Sequence, residues 1–213
     1  MKTEEMKDKI RTIVIDPPYQ TCTGGSKSLS PSKHYQTQTL TEIKEQCSLW
    51  LSEYEITPEA HLYVWGLNSF ASGRSKGIID TLDLIKYLGF RAITQMIWVK
   101  DNSNPTPFGQ RQTEVCIFAA RWRKGYHKRV MYKGSQDGQS VAKPTLSKSI
   151  DFIIAPRREH SRKPDSFYSL VESRSCGPYL ELYGRQERTG WFVRGNQKDY
   201  FNKKETQCEP HKL

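Results

Sequence analysis

A largely apolar run, Ile10 to Ile15 (IRTIVI), stops at Asp16 and meets Pro17-Pro18, and no other feature restricts the fold of this chain as tightly. Consecutive prolines fix φ and supply no N–H, so neither a helix nor a central strand ladder continues through them. The pattern predicts a buried strand that delivers a loop at Asp16. Residues 20 to 38 are rich in Thr, Ser, Gly and Lys, too polar to pack, and read as a mobile loop beside a site.

Helical and strand periods then alternate. Thr39-x-x-Glu42 resembles a capping box, and Ile43, Cys47, Trp50, Leu51 and Tyr54 follow at helical spacing, which predicts a helix over 40–54. His61 to Trp65 (HLYVW) reads as a strand. A second helix is expected over 75–88, with Ile78, Leu82, Ile85 and Leu88 on one face and Gly89 as its stop. Strands are expected over 91–100, 114–121, 151–155 and 179–184, a helix over 164–173, and a last hairpin ending in Trp191 to Arg194. The Pro, Asn and Gly content of residues 101–113 predicts a loop. Alternation of this kind implies an α/β sheet covered on both faces, with ligands bound beyond the carboxyl ends of its strands, where Asp16 sits. Trp50, Trp65 and Trp98 are assigned to core packing, and the Lys203-Lys204 tail is read as frayed.

The 213 residues fit one domain, 1–213. The stretch Met1 to Lys9 has no apolar segment and no run approaches a membrane span, so a soluble, intracellular protein without membrane contact is expected. Five scattered cysteines (22, 47, 116, 176, 208) without a C-x-x-C pair read as reduced thiols. The histidines at 34, 61, 127, 160 and 211 form no i, i+4 pair, so no metal site is expected. Of the net charge of +10, residues 121 to 163 carry +9, from 12 Lys and Arg against three acids. Trp122, Tyr126 and Tyr132 interleave with that charge, the composition of a surface that neutralises phosphates and stacks on bases, although a plain solvated face has the same composition.

Asp16-Pro17-Pro18-Tyr19 at a strand end suits methyl transfer to an exocyclic amino group. An aromatic amine is a poor nucleophile because its lone pair is delocalised into the ring. Hydrogen bonds from the NH2 to the Asp16 carboxylate and to a proline-held carbonyl pull the nitrogen toward tetrahedral geometry, and Tyr19 offers a ring to stack on the base. The same four residues also serve as a plain strand-ending turn. The fragment Gly24-Gly25-Ser26-Lys27-Ser28 lacks the earlier glycine of a phosphate loop.

Several separated blocks resemble the MT-A70 family of S-adenosyl-L-methionine-dependent adenine N6-methyltransferases, in the family's order. Asp16 to Tyr19 is similar to its D-P-P-[WY] motif, Tyr35-x-Thr37 to its substrate loop, and His61 to Gly66 and Ile97 to Lys100 to its strand signatures. Residues Arg158 to Pro164, Glu181 to Arg185, Gly190-Trp191 and Gly195-Asn196-Gln197 resemble its E-H-S-x-K-P, E-L-[FY]-x-R and G-W…G-N-[EQ] series. The resemblance covers about residues 10 to 198.

It implies a Rossmann-like methyltransferase sheet with permuted motif order, the D-P-P-Y strand preceding the cofactor-binding strand. Asp16, Pro17, Pro18 and Tyr19 are then catalytic. Asp16 also holds the cofactor's ammonium, Lys163 its carboxylate, and Arg185, Asn196 and Gln197 its ribose and adenine. Taken singly, Lys163, Arg185 and Asn196-Gln197 have plainer roles as a surface lysine, an ion-pair partner and a turn; their shared register carries the assignment. Only 15 residues precede Asp16, which leaves little room for the upstream segment with which larger members enclose the adenine. Tyr19, Tyr35, Arg123, Lys128, Arg129 and Lys133 are the candidate substrate contacts, the last four in a basic insertion over about 121–148. Compactness and the lack of an appended RNA module favour DNA over RNA as the nucleic-acid substrate, with RNA as the alternative. A homodimer or heterodimer, in which one subunit binds nucleic acid for the other, is a further expectation. The rival class is a non-catalytic nucleic-acid-binding subunit of such an enzyme.

Overall fold

The strand that ends at Asp16 lies near the middle of the structure, a computed structural model that describes residues 8–20, 36–70, 75–106, 109–121, 152–159 and 161–207, the side chains of 102–111 and 204–207 excepted. Strand β1 (Lys9–Ile15) has Ile13, Val14 and Ile15 fully buried because it is covered on both faces. Helix α1 (Leu40–Leu51), strand β2 (Glu55–Gly66), helix α2 (Ile78–Tyr87), strands β3 (Phe90–Thr106), β4 (Gly109–Arg121) and β5 (Phe152–Ile154), helix α3 (Asp165–Arg174), strands β6 (Tyr179–Leu182) and β7 (Trp191–Arg194), and helix α4 (Tyr200–Gln207) follow.

The seven strands form one sheet in the order β5-β3-β4-β2-β1-β6-β7. Only β4 runs against the others, pairing antiparallel with β2 and β3, so the sheet is mostly parallel, as a Rossmann-like fold requires. Ile13 and Ile15 turn toward the side of α1 and α2, where Ile43, Cys47, Leu84 and Ile85 pack. Val14 turns to the other face, with Trp65, Trp98, Phe118 and the α3 residues Phe167, Tyr168 and Val171. Phe167, fully buried, sets its ring edge-on to Trp65 at 4.8 Å and Tyr168 at 5.2 Å. Cys47 and Cys116 are free thiols inside these cores.

The capping box forms as expected: the Glu42 amide donates to Thr39 Oγ1 at 3.3 Å and the Thr39 amide donates to Glu42 Oε2 at 2.7 Å. Helix α1 ends three residues before the expected Tyr54. Helix α2 starts only after Gly77, whose φ of 62° and whose approach to the Ser69 carbonyl, where a Cβ would lie at 1.8 Å, exclude any other residue from that turn.

Three expectations are corrected. Residues 101–106 and 109–113 are not a loop. They extend β3 and β4 into a long antiparallel hairpin, with Asn104 opposite Arg111 and Thr106 opposite Gly109, because cross-strand pairing overrides the weak strand preference of Asn and Pro. The final element is no hairpin either: β7 lies parallel to β6, Tyr179 facing Trp191 and Leu182 facing Arg194. Arg188 pairs with Asp165 at 3.0 Å and stacks on the Tyr168 ring at 3.6 Å, which pins the returning chain against the start of α3 before it pairs. The tail, read as frayed, forms α4, anchored by Phe201 at 3% exposure. Among the described residues no helix is long and apolar enough to cross a membrane.

Two outcomes test this core. Phe167→Ala leaves a cavity among Tyr63, Trp65 and Tyr168 and is expected to cost about 3–5 kcal/mol in urea unfolding. His61 is buried with its Nδ1 at 2.7 Å from Ser175 Oγ, and burial, assisted by Arg11, pushes its pKa down to about 4. The unfolded chain takes up a proton near about pH 6.5 that the fold refuses, so the stability present above that pH is lost as pH falls toward 4. Relative to His61→Asn, the wild type should lose roughly 3 kcal/mol between about pH 7 and 4.

Candidate active site

Beyond the carboxyl ends of β1, β6 and β7 lies a cleft of about 330 Å³. Asp16, Pro17 and Pro18 line it from β1, Tyr183, Gly184 and Arg185 from β6, Asn196 and Gln197 from β7, and Gln46 and Trp50 from α1. Both non-glycine residues with positive φ among the described residues, Ser161 (64°) and Tyr183 (62°), are in this wall. A backbone held in that sparsely populated region marks a place where the surroundings over-determine the chain. Gly195 passes so close to Gly184 that a Cβ would lie 2.7 Å from its carbonyl oxygen, which lets the ends of β6 and β7 meet.

Pro17 and Pro18 line the cleft, and a backbone hydrogen bond fixes the carbonyl of each. Pro17 O accepts from the Tyr19 amide at 2.9 Å and Pro18 O accepts from the Gln38 amide at 2.8 Å. Each oxygen retains a second lone pair. Tyr183 then donates to Gln38 Oε1 at 2.8 Å, tying the segment before α1 to the end of β6.

Behind Asp16 runs a chain of alternating charge. Lys163 Nζ sits 3.0 Å from Asp16 Oδ2 and 3.1 Å from Glu114 Oε2, and Lys100 Nζ sits 2.6 Å from Glu114 Oε1. Lys163 also lies 4.9 Å above the Trp65 ring. Burial disfavours the charges of Asp16, Glu114 and Lys163, and the balance differs by position. Glu114 has a lysine on each oxygen, and despite its burial the two ammonium groups hold its carboxyl down at about 2. Asp16 has one, so burial prevails over Lys163 and the Asp16 carboxyl titrates above its ordinary range. For Lys163 the two carboxylates outweigh burial and raise its affinity for the proton.

Of the residues expected from sequence, Asp16, Pro17, Pro18, Arg185, Asn196 and Gln197 meet in this cleft. Tyr19 does not line it. Its ring is 6% exposed, inside the core beneath α1, and its hydroxyl donates to Thr81 Oγ1 at 3.2 Å, so no stacking face is offered. Lys163 is not a cleft wall either, being 8% exposed and spent on Asp16 and Glu114. Tyr35, Arg123, Lys128, Arg129 and Lys133 lie outside the described residues. Trp50 packs against the core as assigned and is also a wall of the cleft, edge-on to Tyr183 at 4.9 Å. Glu114 and Lys100 are functional-site residues that local pattern did not single out; the available signal was a charge flanking each apolar run, before VCIFAA and after IWV. Among the described residues no cluster of His, Cys, Asp and Glu could hold a metal ion.

A mostly parallel sheet with helices on both faces, and a polar cleft over the ends of its central strands, defines the Rossmann-like α/β class. Within that class the chain belongs to the MT-A70 family, whose model matches residues 10–197. It is similar to the human N(6)-adenosine-methyltransferase catalytic subunit METTL3, 24% identical over 90% of this chain and 28% of that protein. It is 32% identical to a Medicago truncatula protein named putative N(6)-adenosine-methyltransferase MT-A70-like, over 51% of this chain and 17% of the relative. A Drosophila melanogaster N(6)-adenosine-methyltransferase MT-A70-like protein is 30% identical over 55% of the chain and 18% of its own length. The chain thus spans less than a third of the length of these relatives.

Removing Lys163 leaves Asp16, whose side chain is 24% exposed, without its lysine counter-charge and takes one of the two lysines from Glu114. Lys163→Met is expected to cost about 3 kcal/mol at about pH 7 in urea unfolding. The orphaned carboxylate binds a proton more tightly when folded than when unfolded, so the deficit should shrink as pH falls toward about 5.

Proposed function

We propose that this chain transfers the methyl group of S-adenosyl-L-methionine to N6 of adenine in RNA, with the accepting amine bound at Asp16. The observation that carries this reading is a carboxylate and two prolines lining one cleft, the proline carbonyls fixed by backbone hydrogen bonds and the carboxylate paired with a buried lysine. The amine donates one N–H to Asp16 and the other to the free lone pair of Pro17 O. Both bonds draw its nitrogen out of conjugation, and no strong base is required before transfer.

The cleft suits the cofactor's chemistry part by part. Asn196 and Gln197 offer both donors and acceptors for a ribose and a purine edge, Arg185 offers donors, and Trp50 and Tyr183 offer aromatic faces to a flat ring or a cationic sulfonium. When bound, the cofactor supplies an electrophilic methyl group. Lys163 works through Asp16, keeping it ionised and aimed, in place of the cofactor-carboxylate contact expected from sequence.

The relatives' names favour RNA as the nucleic acid. Adenosine is a ribonucleoside, and each of the three relatives is named for it. That outweighs the preference for DNA drawn from compactness alone. The basic stretch of residues 121–148 is the proposed RNA-binding insertion, and a second subunit, identical or different, is the proposed partner.

Mass-spectrometric nucleoside analysis after incubation with deuterated-methyl S-adenosyl-L-methionine, and RNA or DNA, tests the reading. Labelled N6-methyladenosine from RNA is expected, with Asp16→Ala reduced by at least roughly a hundredfold. Label confined to DNA would return the substrate to deoxyadenosine. No label, with no heat of cofactor binding, would favour the non-catalytic subunit.

A further inference from the structure

Behind the Asp16 side of the cleft is a second, smaller void of about 20 Å³, lined by Asp16, Ser161, Lys163, Tyr168, Glu181 and Arg185 among others. It shares Asp16, Ser161, Tyr183 and Arg185 with the main cleft. A void of this size and polarity holds one water. Glu181, on β6, is 3% exposed; its Oε1 accepts from the Tyr168 hydroxyl at 2.7 Å, and its Oε2 has no hydrogen-bond partner among the described residues. A buried carboxylate oxygen left unpaired beside a water-sized chamber calls for an occupant.

We propose that Glu181, through a water in this chamber, takes up the proton that the methylated amine releases to Asp16. The inference rests on the methyl-transfer reading. When the nitrogen lone pair forms the new N–C bond, the S–C bond breaks with its electron pair going to sulfur, and the nitrogen is left with one proton and one positive charge too many. An Asp16 oxygen takes that proton, and the N–H electron pair stays on nitrogen. Protonated Asp16 no longer balances Lys163, so it hands the proton to the water, which gives one of its own to Glu181 Oε2. Solvent removes that proton before the next turnover, and Asp16 is restored as a carboxylate.

The groups around Glu181 suit this role. Tyr168 from α3 always donates, its hydroxyl kept protonated by burial and by Glu181 itself. Asp16 from β1 repels a charge on Glu181, while Lys163 and Arg188 attract it, and Arg162 and Arg185 complete the charged lining. Burial prevails and pushes the Glu181 carboxyl up to about 7, where it exchanges a proton readily at neutral pH.

Infrared difference spectra of the free protein, taken from about pH 5 to 9, should show a carboxyl titrating near 7. That signal should vanish in Glu181→Gln and move to lower pH in Asp16→Asn. In turnover assays kcat of the wild type should rise with pH through that midpoint. Glu181→Gln, which keeps the Tyr168 bond, should flatten the profile and lose about tenfold in kcat at about pH 8 with KM unchanged. A wild type with no carboxyl titrating near neutrality overturns the relay. Methylation with an unaltered pH profile in Glu181→Gln overturns the relay alone, whereas a wild type that makes no product on RNA or DNA overturns the methyl-transfer reading and the relay together.

Discussion

Lys163 holds the molecule's chemistry together. Its ammonium joins a carboxylate at the end of β1 to one at the start of the apolar part of β4, and its backbone leads directly into α3. Three elements remote in sequence therefore share one buried charge. Such a group is costly to desolvate and is tolerated only because both neighbours are anionic and the Trp65 ring lies beneath it. The arrangement also divides labour between the acids: Glu114, saturated by two lysines, is inert, and Asp16, with one, keeps a face for a ligand.

The cleft is built from backbone that a relaxed fold would avoid. Ser161 and Tyr183 sit at positive φ, at a cost of about 1–3 kcal/mol each, and the ends of β6 and β7 approach closely enough to require glycine at 184 and 195. Two rigid cores on either side of the sheet supply the stability that supports this strain. The aromatic layer of Trp65, Phe167, Tyr168 and Trp191 lies directly under the charged chain, so packing and electrostatics are joined at the same residues.

Much of this was legible before any coordinates. Strand β1, the capping box of α1, the stop at Gly89 and the meeting of Asp16, Arg185, Asn196 and Gln197 all followed from local pattern or from ordered motif blocks. Turn residues before Trp191 announced a reversal but not the end of the sheet at which it pairs; contacts of Arg188 with Asp165 and Tyr168 settled that. The hairpin of β3 and β4 was hidden by Asn and Pro, whose poor strand preference is overcome only when a partner strand is present.

What the amino-acid sequence determined alone was the alternation of strand and helix, the abrupt stop at Pro17-Pro18 and the set of residue types a methyl donor and an amine require. Those are local properties of a chain, set by dihedral restriction and hydrophobic period. Tertiary structure decided which ring faces the cleft, burying Tyr19 and leaving one side of Trp50 to the cleft. It also gave Lys163 two protein carboxylates and left Glu181 beside Asp16 at one small polar void. Charges distant in sequence acquire their pKa and their partners only when folding removes the water between them.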